Sequence, residues 1–396
     1  MASLQSNTLV QKVRSVHKKH PWVWLYFVTL FTLLAWGVIT TRFLPIVEAN
    51  SRLPAELSYE QIAPGWASQD TPRSILEPWL RWDAAWYLLI AKDGYSAFGR
   101  ELAFLPGYPM VTRLLGKLLG GQYLLASLIV SWSAVFGICL LLEERFYRQA
   151  HPKTAVRGIR NLLFFPTAIF FFAGYTESLF LLLVLLAWRF AEKGNWLLAG
   201  ILGGLATLTR FQGVLLILPF GLMWLRNWRE HRVQALLAFF PIPLAYFGWD
   251  LFVRLSYQTQ PYLIQTQGWS SHFDWPWVGI FGSLKRIFSS PASESFSAAL
   301  DILAVLIAVI SIMYWLRKKA YPEVSFMAVV ILISVTKITD AGMLGSVSRF
   351  IIPLFPIYLM LAEWGKQIKY DRLILVVSIF LWLFCAALFF SWNWLA

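Results

Sequence analysis

Charged residues are scarce in this chain, and their scarcity is the first guide to its class. Only 14% of the 396 residues are Asp, Glu, Lys or Arg, whereas 58% are hydrophobic. Soluble globular proteins carry roughly 25% charged residues. The composition therefore excludes an ordinary soluble fold and indicates a polytopic membrane protein.

Cysteine and the common soluble-enzyme motifs are missing as well. The two cysteines, Cys139 and Cys385, lie in separate apolar runs, so neither a disulfide framework nor a cysteine metal site is expected. The chain has no glycine-rich phosphate loop, no zinc-type histidine pair and no nucleophile elbow. It also lacks a DxD motif of the kind that binds sugar nucleotides. No certain cofactor follows from the sequence, and a divalent cation stays an open alternative.

Long apolar runs, by contrast, are abundant. Because about 20 residues cross the hydrocarbon of a membrane, we predict an all-α polytopic protein with about eleven transmembrane helices. These form a single multispan domain over residues 1–396. The first run is too long for a signal-peptide core and is expected to be an uncleaved anchor. The predicted spans are 22–41, 122–143, 159–174, 176–191, 195–209, 212–225, 233–253, 297–316, 323–339, 349–364 and 373–394.

Basic residues fall on one side of this map. With the N-terminus in the cytoplasm, the cytoplasmic segments hold twenty of the 34 basic residues and the whole formal net charge of +13. Cytoplasmic loops of membrane proteins are enriched in Lys and Arg. The positive charge therefore reports a cytoplasmic N-terminus and gives no reason to expect nucleic-acid binding.

Two long segments, residues 42–121 and 254–296, are predicted on the extracytoplasmic side. The first is expected to carry two short interfacial helices, over 82–92 and 110–119. Unusual polar and aromatic residues near the span ends also map to this side, which predicts an outward-facing cavity. They are Asp83, Tyr175, Glu177, Arg210, Trp269, His272, Asp340 and Arg349.

The segment 81–87, with the sequence Arg-Trp-Asp-Ala-Ala-Trp-Tyr, is the most unusual of these. It places the carboxylate of Asp83 among aromatic side chains at a membrane face. An ionised group in such surroundings is costly and is a functional candidate by default.

Each candidate also has a simpler structural explanation. Asp83 could cap the helix that follows it, and Glu177 could favour a first helical turn through the helix dipole. Arg210 and Arg349 could extend their charges into the interface. His272 could be an ordinary loop residue.

Five blocks of the sequence, in this order, resemble the PIG-V family, the GPI mannosyltransferase 2-like proteins of the GT-C class of multispan glycosyltransferases. The first joins Arg-Trp-Asp at 81–83 to Ile-Ala at 90–91 and Gly-Tyr at 94–95, and the second is Ala-Phe-Leu-Pro-Gly-Tyr-Pro at 103–109. The third runs from Phe-Pro at 165–166 to Ala-Gly-Tyr-Thr-Glu-Ser-Leu-Phe at 173–180. The last two are Thr-Arg-Phe-Gln-Gly at 209–213 and Ser-Arg-Phe at 348–350.

The resemblance implies an inverting glycosyltransferase with its active site on the extracytoplasmic or lumenal face. It would move a hexose, with mannose expected, from a polyprenyl- or dolichyl-phosphate donor to a lipid-linked or glycan acceptor. The membrane would be that of the ER or a bacterial inner membrane, and an accessory membrane subunit is compatible with the family. Two alternatives stay open, a transporter or flippase of lipid-linked sugars and a non-catalytic subunit of a membrane glycosylation complex.

Chemical roles follow for the candidate residues. Asp83 is the predicted general base that takes a proton from the acceptor hydroxyl. Arg349, and after it Arg210, are predicted to stabilise the leaving phosphate, and Glu177 to orient sugar hydroxyls or to hold an arginine. No metal ligands are predicted. The remaining predicted substrate-binding residues are Tyr175, Trp82, Tyr95, Phe104, Trp269 and His272.

Overall fold

The computed structural model describes residues 20–45, 75–95, 99–149, 152–226, 239–393 and 395, and most of them are helical. In chain order the α-helices are α1 (Trp22–Phe43), α2 (Asp83–Asp93), α3 (Gly107–Leu118), α4 (Tyr123–Gln149), α5 (Pro152–Leu163), α6 (Ile169–Phe172), α7 (Glu177–Glu192), α8 (Trp196–Thr209), α9 (Ile217–Arg226), α10 (Pro241–Tyr257), α11 (Pro261–Gly268), α12 (Pro276–Ser289), α13 (Ala292–Arg317), α14 (Tyr321–Thr336), α15 (Val347–Phe350), α16 (Pro356–Trp364) and α17 (Ile368–Phe390). Three 3₁₀ turns cover Glu77–Trp79, Arg100–Ala103 and Phe211–Leu216.

Four helices within the described ranges are long and apolar enough to cross a membrane. They are α1, residues Tyr123–Arg145 of α4, residues Glu294–Arg317 of α13, and α17. Helices α8 and α14 and the segment Phe211–Arg226 are apolar but shorter. The prediction of a helical, multi-pass membrane protein is confirmed at this level, and the predicted first span, 22–41, is confirmed as a helix of this kind.

Two of the predicted spans are wrong as continuous helices. Within 159–174, α5 ends at Leu163 and the four-residue α6 begins only at Ile169. Within 349–364, α15 ends at Phe350 and α16 begins at Pro356. Prolines interrupt both stretches, at 166 in the first and at 353 and 356 in the second. Proline lacks a backbone donor and disfavours helical geometry in the residue before it.

Further predicted spans differ at their ends. The span 212–225 begins in the 3₁₀ turn Phe211–Leu216, and the helix within the span 373–394 ends at Phe390. The span 323–339 stops being helical at Thr336, because residues 337–339 form a strand. Of the span 233–253, the first residues, up to 238, lie outside the described residues, and α10 begins at Pro241.

A small β-sheet departs from the all-α prediction. Strand β1 (Ser271–Phe273) pairs antiparallel with β2 (Lys337–Thr339), with Phe273 opposite Lys337 and Ser271 opposite Thr339. The strands come from segments more than sixty residues apart, so their pairing depends on long-range packing. Each strand is only three residues long, too short to be predicted from its own sequence.

Both predicted interfacial helices of the first long outer segment are confirmed as helices α2 and α3. Helix α3 is fixed to the following span through Tyr108, whose hydroxyl donates to the carbonyl of Ser127 at 2.8 Å and lies 3.0 Å from Oγ of Ser131. Residues 46–74 and 96–98 of this predicted segment lie outside the described residues.

Aromatic side chains fill the space between α1, α4 and α17. The buried ring of Trp79 lies 6.1 Å from that of Trp132 and 5.3 Å from that of Phe390. The indole of Trp36 donates to the carbonyl of Leu383 at 2.9 Å, which ties α1 to α17. This packing fixes the 3₁₀ turn Glu77–Trp79, in the segment predicted to be extracytoplasmic, against α4 and α17.

Residues predicted on the cytoplasmic side contact one another at a separate end of the helices. Arg145 donates to Glu192 and Glu323, Arg160 to Asp371, and Arg189 pairs with Glu144. The predicted cytoplasmic residues at 12–19 and 229–232 lie outside the described residues. The described residues of these pairs, which the charge pattern predicts to be cytoplasmic, therefore lie together at one end of the fold.

Candidate active site

Four charged side chains from four separate segments meet at one end of the fold. Arg349, in α15, donates from Nη1 to Oδ2 of Asp83 at 2.5 Å and from Nε to Oε1 of Glu177. Arg210, directly after α8, donates to the same Glu177 oxygen and, at 2.9 Å, to Oγ1 of Thr176. The result is a continuous row, Asp83–Arg349–Glu177–Arg210, in which acid and base alternate.

Burial differs along this row. Glu177 is fully buried, and Arg210 and Arg349 are 7% and 8% exposed. The side chain of Asp83 is the most accessible, at 21%. The arginines therefore do not extend into the interface but turn inward to a shared carboxylate.

Asp83 does not cap the helix that it begins. Helix α2 starts at Asp83 itself, and Trp82, at the N-cap position, makes no side-chain capping bond. Trp82 has φ = +51°, a conformation that costs energy for a bulky residue and that concentrates at functional sites. Its ring packs against Trp392 with centroids 5.4 Å apart. The strained backbone thus turns the following carboxylate towards Arg349.

Aromatic rings and a buried acid hold Arg349 in place. Its guanidinium lies 4.6 Å from the ring centre of Tyr175 and 5.3 Å from that of Phe170. The backbone N–H of Ser348 donates to the buried Asp301 at 2.7 Å. Sequence reasoning missed Asp301, because an acid inside a long apolar run carries no sign of which backbone it will meet.

Tyr175 also connects the turn before α7 to the segment 81–87. Its hydroxyl donates to the carbonyl of Arg81 at 2.9 Å. The guanidinium of Arg81 donates in turn to the carbonyl of Phe390 at 3.1 Å. Blocks that lie almost a hundred residues apart in the sequence are therefore parts of one rigid arrangement.

A cavity of about 380 Å³ opens beside this row, a volume within the range of small-molecule sites. Its charged lining residues are Asp83, Arg210, Lys337 and Arg349. Aromatic residues form much of the rest, among them the predicted Phe104 and Trp269, whose rings lie 5.4 Å apart. A pocket with charges on one wall and aromatic faces on another suits a sugar carrying a phosphate.

The other predicted site residues do not line the cavity. Glu177 and Tyr175 lie beneath its charged wall. Tyr95 supports Phe104, donating to its carbonyl at 2.9 Å. His272 is exposed and lies 3.1 Å from Asp340. Trp82, as described above, packs on Trp392.

Lys337 is the one charged residue in the described cavity lining that the sequence analysis did not single out. It ends an apolar run inside a predicted span, so the lone positive charge at the outer end of that run was its one signal. Burial lowers the pKa of the Lys337 ammonium to about 8, with nearby Asp83 opposing the shift. Burial also raises the pKa of Tyr87, another lining residue, to about 12, so its hydroxyl stays neutral.

Within the described ranges, no three His, Cys, Asp or Glu side chains converge as they would around a metal ion.

Gly107, in the block 103–109, lies at a position where a larger residue does not fit. The residue packs on the end of α8, where a Cβ would lie 2.8 Å from the backbone carbonyl of Leu208 and from Oγ1 of Thr209. Arg210 follows directly. A side chain at 107 would therefore push on the segment that carries this arginine.

We expect Gly107→Ala to destabilise the protein by about 1–3 kcal/mol, because inserting a methyl group into a close-packed contact forces the backbone to shift. Thermal unfolding of the detergent-solubilised protein measures this. Gly248→Ala is the matched control, since a Cβ at 248 in α10 meets nothing within 4 Å. Equal unfolding temperatures for the two variants would contradict the proposed close contact.

Known proteins resemble this chain over part of its length. A family model described as Mannosyltransferase (PIG-V) matches residues 20–218. The chain is 31% identical over 156 residues to the GPI mannosyltransferase 2 of Schizosaccharomyces pombe (strain 972 / ATCC 24843), covering 38% of this chain and 33% of that protein. It is 29% identical over 164 residues to the GPI alpha-1,6-mannosyltransferase 2 of Mus musculus, covering 39% and 33%. The match thus spans about a third of each relative, and no solved structure matches significantly.

Proposed function

The chain belongs to the mannosyltransferase (PIG-V) family, and from this premise we propose that it is a membrane glycosyltransferase. The donor is a polyprenyl- or dolichyl-phosphate hexose, with mannose expected. The acceptor is a lipid-linked or glycan hydroxyl, GPI-like in kind. Transfer takes place on the extracytoplasmic or lumenal face and inverts the anomeric carbon.

The observation that carries this proposal is the geometry around Asp83. One carboxylate oxygen, Oδ2, accepts from Arg349, and the other, Oδ1, has no partner within the described part of the chain. The side chain lines the cavity and is partly accessible. A fixed carboxylate with one free oxygen facing a substrate-sized space is the arrangement that a general base requires.

In the proposed reaction the acceptor oxygen attacks the anomeric carbon of the donor sugar. The new carbon–oxygen bond forms as the bond between that carbon and the phosphate oxygen breaks. The acceptor proton passes to Oδ1 of Asp83, and the polyprenyl phosphate leaves with the bonding electron pair. Arg349 holds Asp83 in position, and Glu177 holds Arg349 and Arg210.

Topology and partners belong to the same proposal. The N-terminus is cytoplasmic, and the membrane is that of the ER or a bacterial inner membrane. The GT-C-like architecture and the count of about eleven crossings stay predictions. A broken segment can still cross when protein buries its freed backbone groups. An accessory membrane subunit also stays a prediction.

The direct test is transfer of radiolabelled mannose from polyprenyl-phosphate mannose into lipid extract, using membranes that contain the protein and matched membranes that lack it. We expect label only where the protein is present. The new linkage should be opposite in anomeric configuration to the donor, as digestion with α- and β-specific mannosidases reports.

Absence of transfer would count against the proposal only after a glucose donor had also failed, and transfer from an arabinose donor alone would replace the proposed hexose by a pentose. Movement of intact lipid-linked sugar across sealed vesicles, with no new glycosidic bond, would favour a flippase instead.

A further inference from the structure

The charges around the cavity do not cancel. Asp83 and Glu177 are the carboxylates of the row, and Arg349 and Arg210 are its guanidiniums, so the row is neutral. Lys337 lines the same cavity, and no described residue accepts a hydrogen bond from its ammonium or forms an ion pair with it. One positive charge is therefore left over, and it belongs to Lys337.

Backbone pairing fixes where this charge sits. Lys337 is the first residue of β2 and lies opposite Phe273 of β1, which is also a lining residue. Its side chain is partly buried. Withdrawing an ammonium from water without a carboxylate partner costs free energy. A cost of this kind is typical of a group that receives its counter-charge from a ligand.

An apolar path leads from Lys337 along α14. Val329 and Ile333 are four residues apart and so share one face of α14, and Lys337 follows directly after the end of this helix. Ile333 and Lys337 line the cavity, whereas Val329 lines a neighbouring groove of about 360 Å³.

The linings of the two spaces also adjoin in the segment after α8. Phe211 and Gln212 line the cavity, and Val214 and Leu215 line the groove. All lining residues of the groove are aliphatic, aromatic or glycine: Val214, Leu215, Ile217, Leu218, Gly221, Leu222, Leu225, Phe239 and Val329. A cavity with an unpaired positive charge and an apolar groove thus have adjoining linings on two elements.

We propose that Lys337 binds the phosphate of a polyprenyl-phosphate donor and that the groove beside Val329 receives the first isoprenoid units. This inference rests on the proposed function and deepens it. As the sugar–phosphate bond breaks, the phosphate gains negative charge. An ammonium that is not neutralised by a protein carboxylate offers its full charge at that moment. Arg349 and Arg210 then act mainly as positioning residues, because each already donates to a carboxylate of the row.

The first experiment compares Lys337→Met and Lys337→Arg in the transfer assay with the donor concentration varied. We expect Lys337→Met to lower kcat/KM for the donor by about 10²–10³-fold, to leave the KM for the acceptor unchanged and to abolish product inhibition by polyprenyl phosphate. Lys337→Arg should stay within about tenfold of wild type, since it keeps the charge. Lys285→Met, an exposed lysine on α12, is the matched control.

Thermal unfolding separates binding from a structural role. Because Lys337 is partly buried without a carboxylate partner, Lys337→Met should be at least as stable as wild type. Wild-type kinetics in Lys337→Met, or a loss of activity that tracks a loss of stability and is not rescued by Lys337→Arg, would overturn the inference. If wild type itself transfers no sugar, the proposed function fails first.

The donor tail and free phosphate distinguish the sources of the anion. Val329→Trp should raise the KM for a polyprenyl-phosphate donor and leave inhibition by inorganic phosphate, which has no tail, unaffected. Inorganic phosphate should inhibit wild type far more weakly than polyprenyl phosphate does. Equal inhibition by the two would show a bare phosphate site and overturn the tail assignment.

The pH profile gives an independent readout. Below pH about 8 the ammonium is protonated, so kcat/KM for the donor should be flat on that account and should fall about tenfold per unit above it. Asp83, Arg349 and Arg210 are the charged groups that act on Lys337. Lys337→Arg should lose this alkaline limb, and an unchanged limb in that variant would contradict the assignment.

Discussion

Asp83→Asn is expected to lower the rate of sugar transfer by about 10²–10⁴-fold, the range that a general base contributes. The amide keeps the shape of the side chain, and its oxygen can still accept from Arg349. Its NH₂ group then occupies the place of the free oxygen and cannot take a proton from the acceptor. The loss should therefore appear in kcat without a matching loss of fold.

The measurement is single-turnover transfer from polyprenyl-phosphate mannose at equal protein levels, with thermal unfolding recorded for each variant. Asp93→Asn provides the control, because Asp93 ends the same helix and is exposed. We expect it to match wild type. Near-wild-type transfer by Asp83→Asn would remove Asp83 from the chemistry and leave it as a residue that only holds Arg349.

The second large effect is on stability and is expected at Glu177. This fully buried carboxylate accepts from both Arg349 and Arg210. Glu177→Leu would leave two buried guanidiniums without their shared partner. Breaking a buried pair by removing one partner costs about 3–5 kcal/mol. We expect a marked fall in the unfolding temperature and loss of transfer, since Arg349 would no longer hold Asp83.

Two comparisons sharpen this test. Glu177→Gln keeps an oxygen acceptor and should be less destabilised than Glu177→Leu. Glu363→Gln breaks a surface pair with Lys366, for which a change of about 0–1 kcal/mol is expected. If Glu177→Leu unfolded at the same temperature as Glu363→Gln, the row of alternating charges would not be a structural unit.

Arg349 illustrates which features of the site can be predicted from the sequence and which require the structure. The sequence predicts that this arginine lies at the outer end of the protein, near other polar residues. Its partners, Asp83 and Glu177, lie 266 and 172 residues away along the chain. No spacing rule connects such positions, so the sequence does not show which carboxylates Arg349 contacts. The role expected for Arg349, direct phosphate binding, stays a prediction.

Properties that depend on local composition could be predicted from the residues alone. Hydropathy indicated the membrane helices, the distribution of Lys and Arg grouped the residues of the two ends, and the blocks at 81–87 and 103–109 marked the outer segments that reach the site. These follow from the cost of placing polar groups in hydrocarbon, which each stretch of chain meets on its own.

Long-range packing set which charges neutralise one another and which is left over. It broke the apolar runs at 159–174 and 349–364, paired β1 with β2 and brought Lys337 into the cavity. Apolar periodicity fixes which face of a helix is buried but not which helix it meets. The pairing of charges requires atoms within a few ångströms, and that distance is set by the packing of all the helices together.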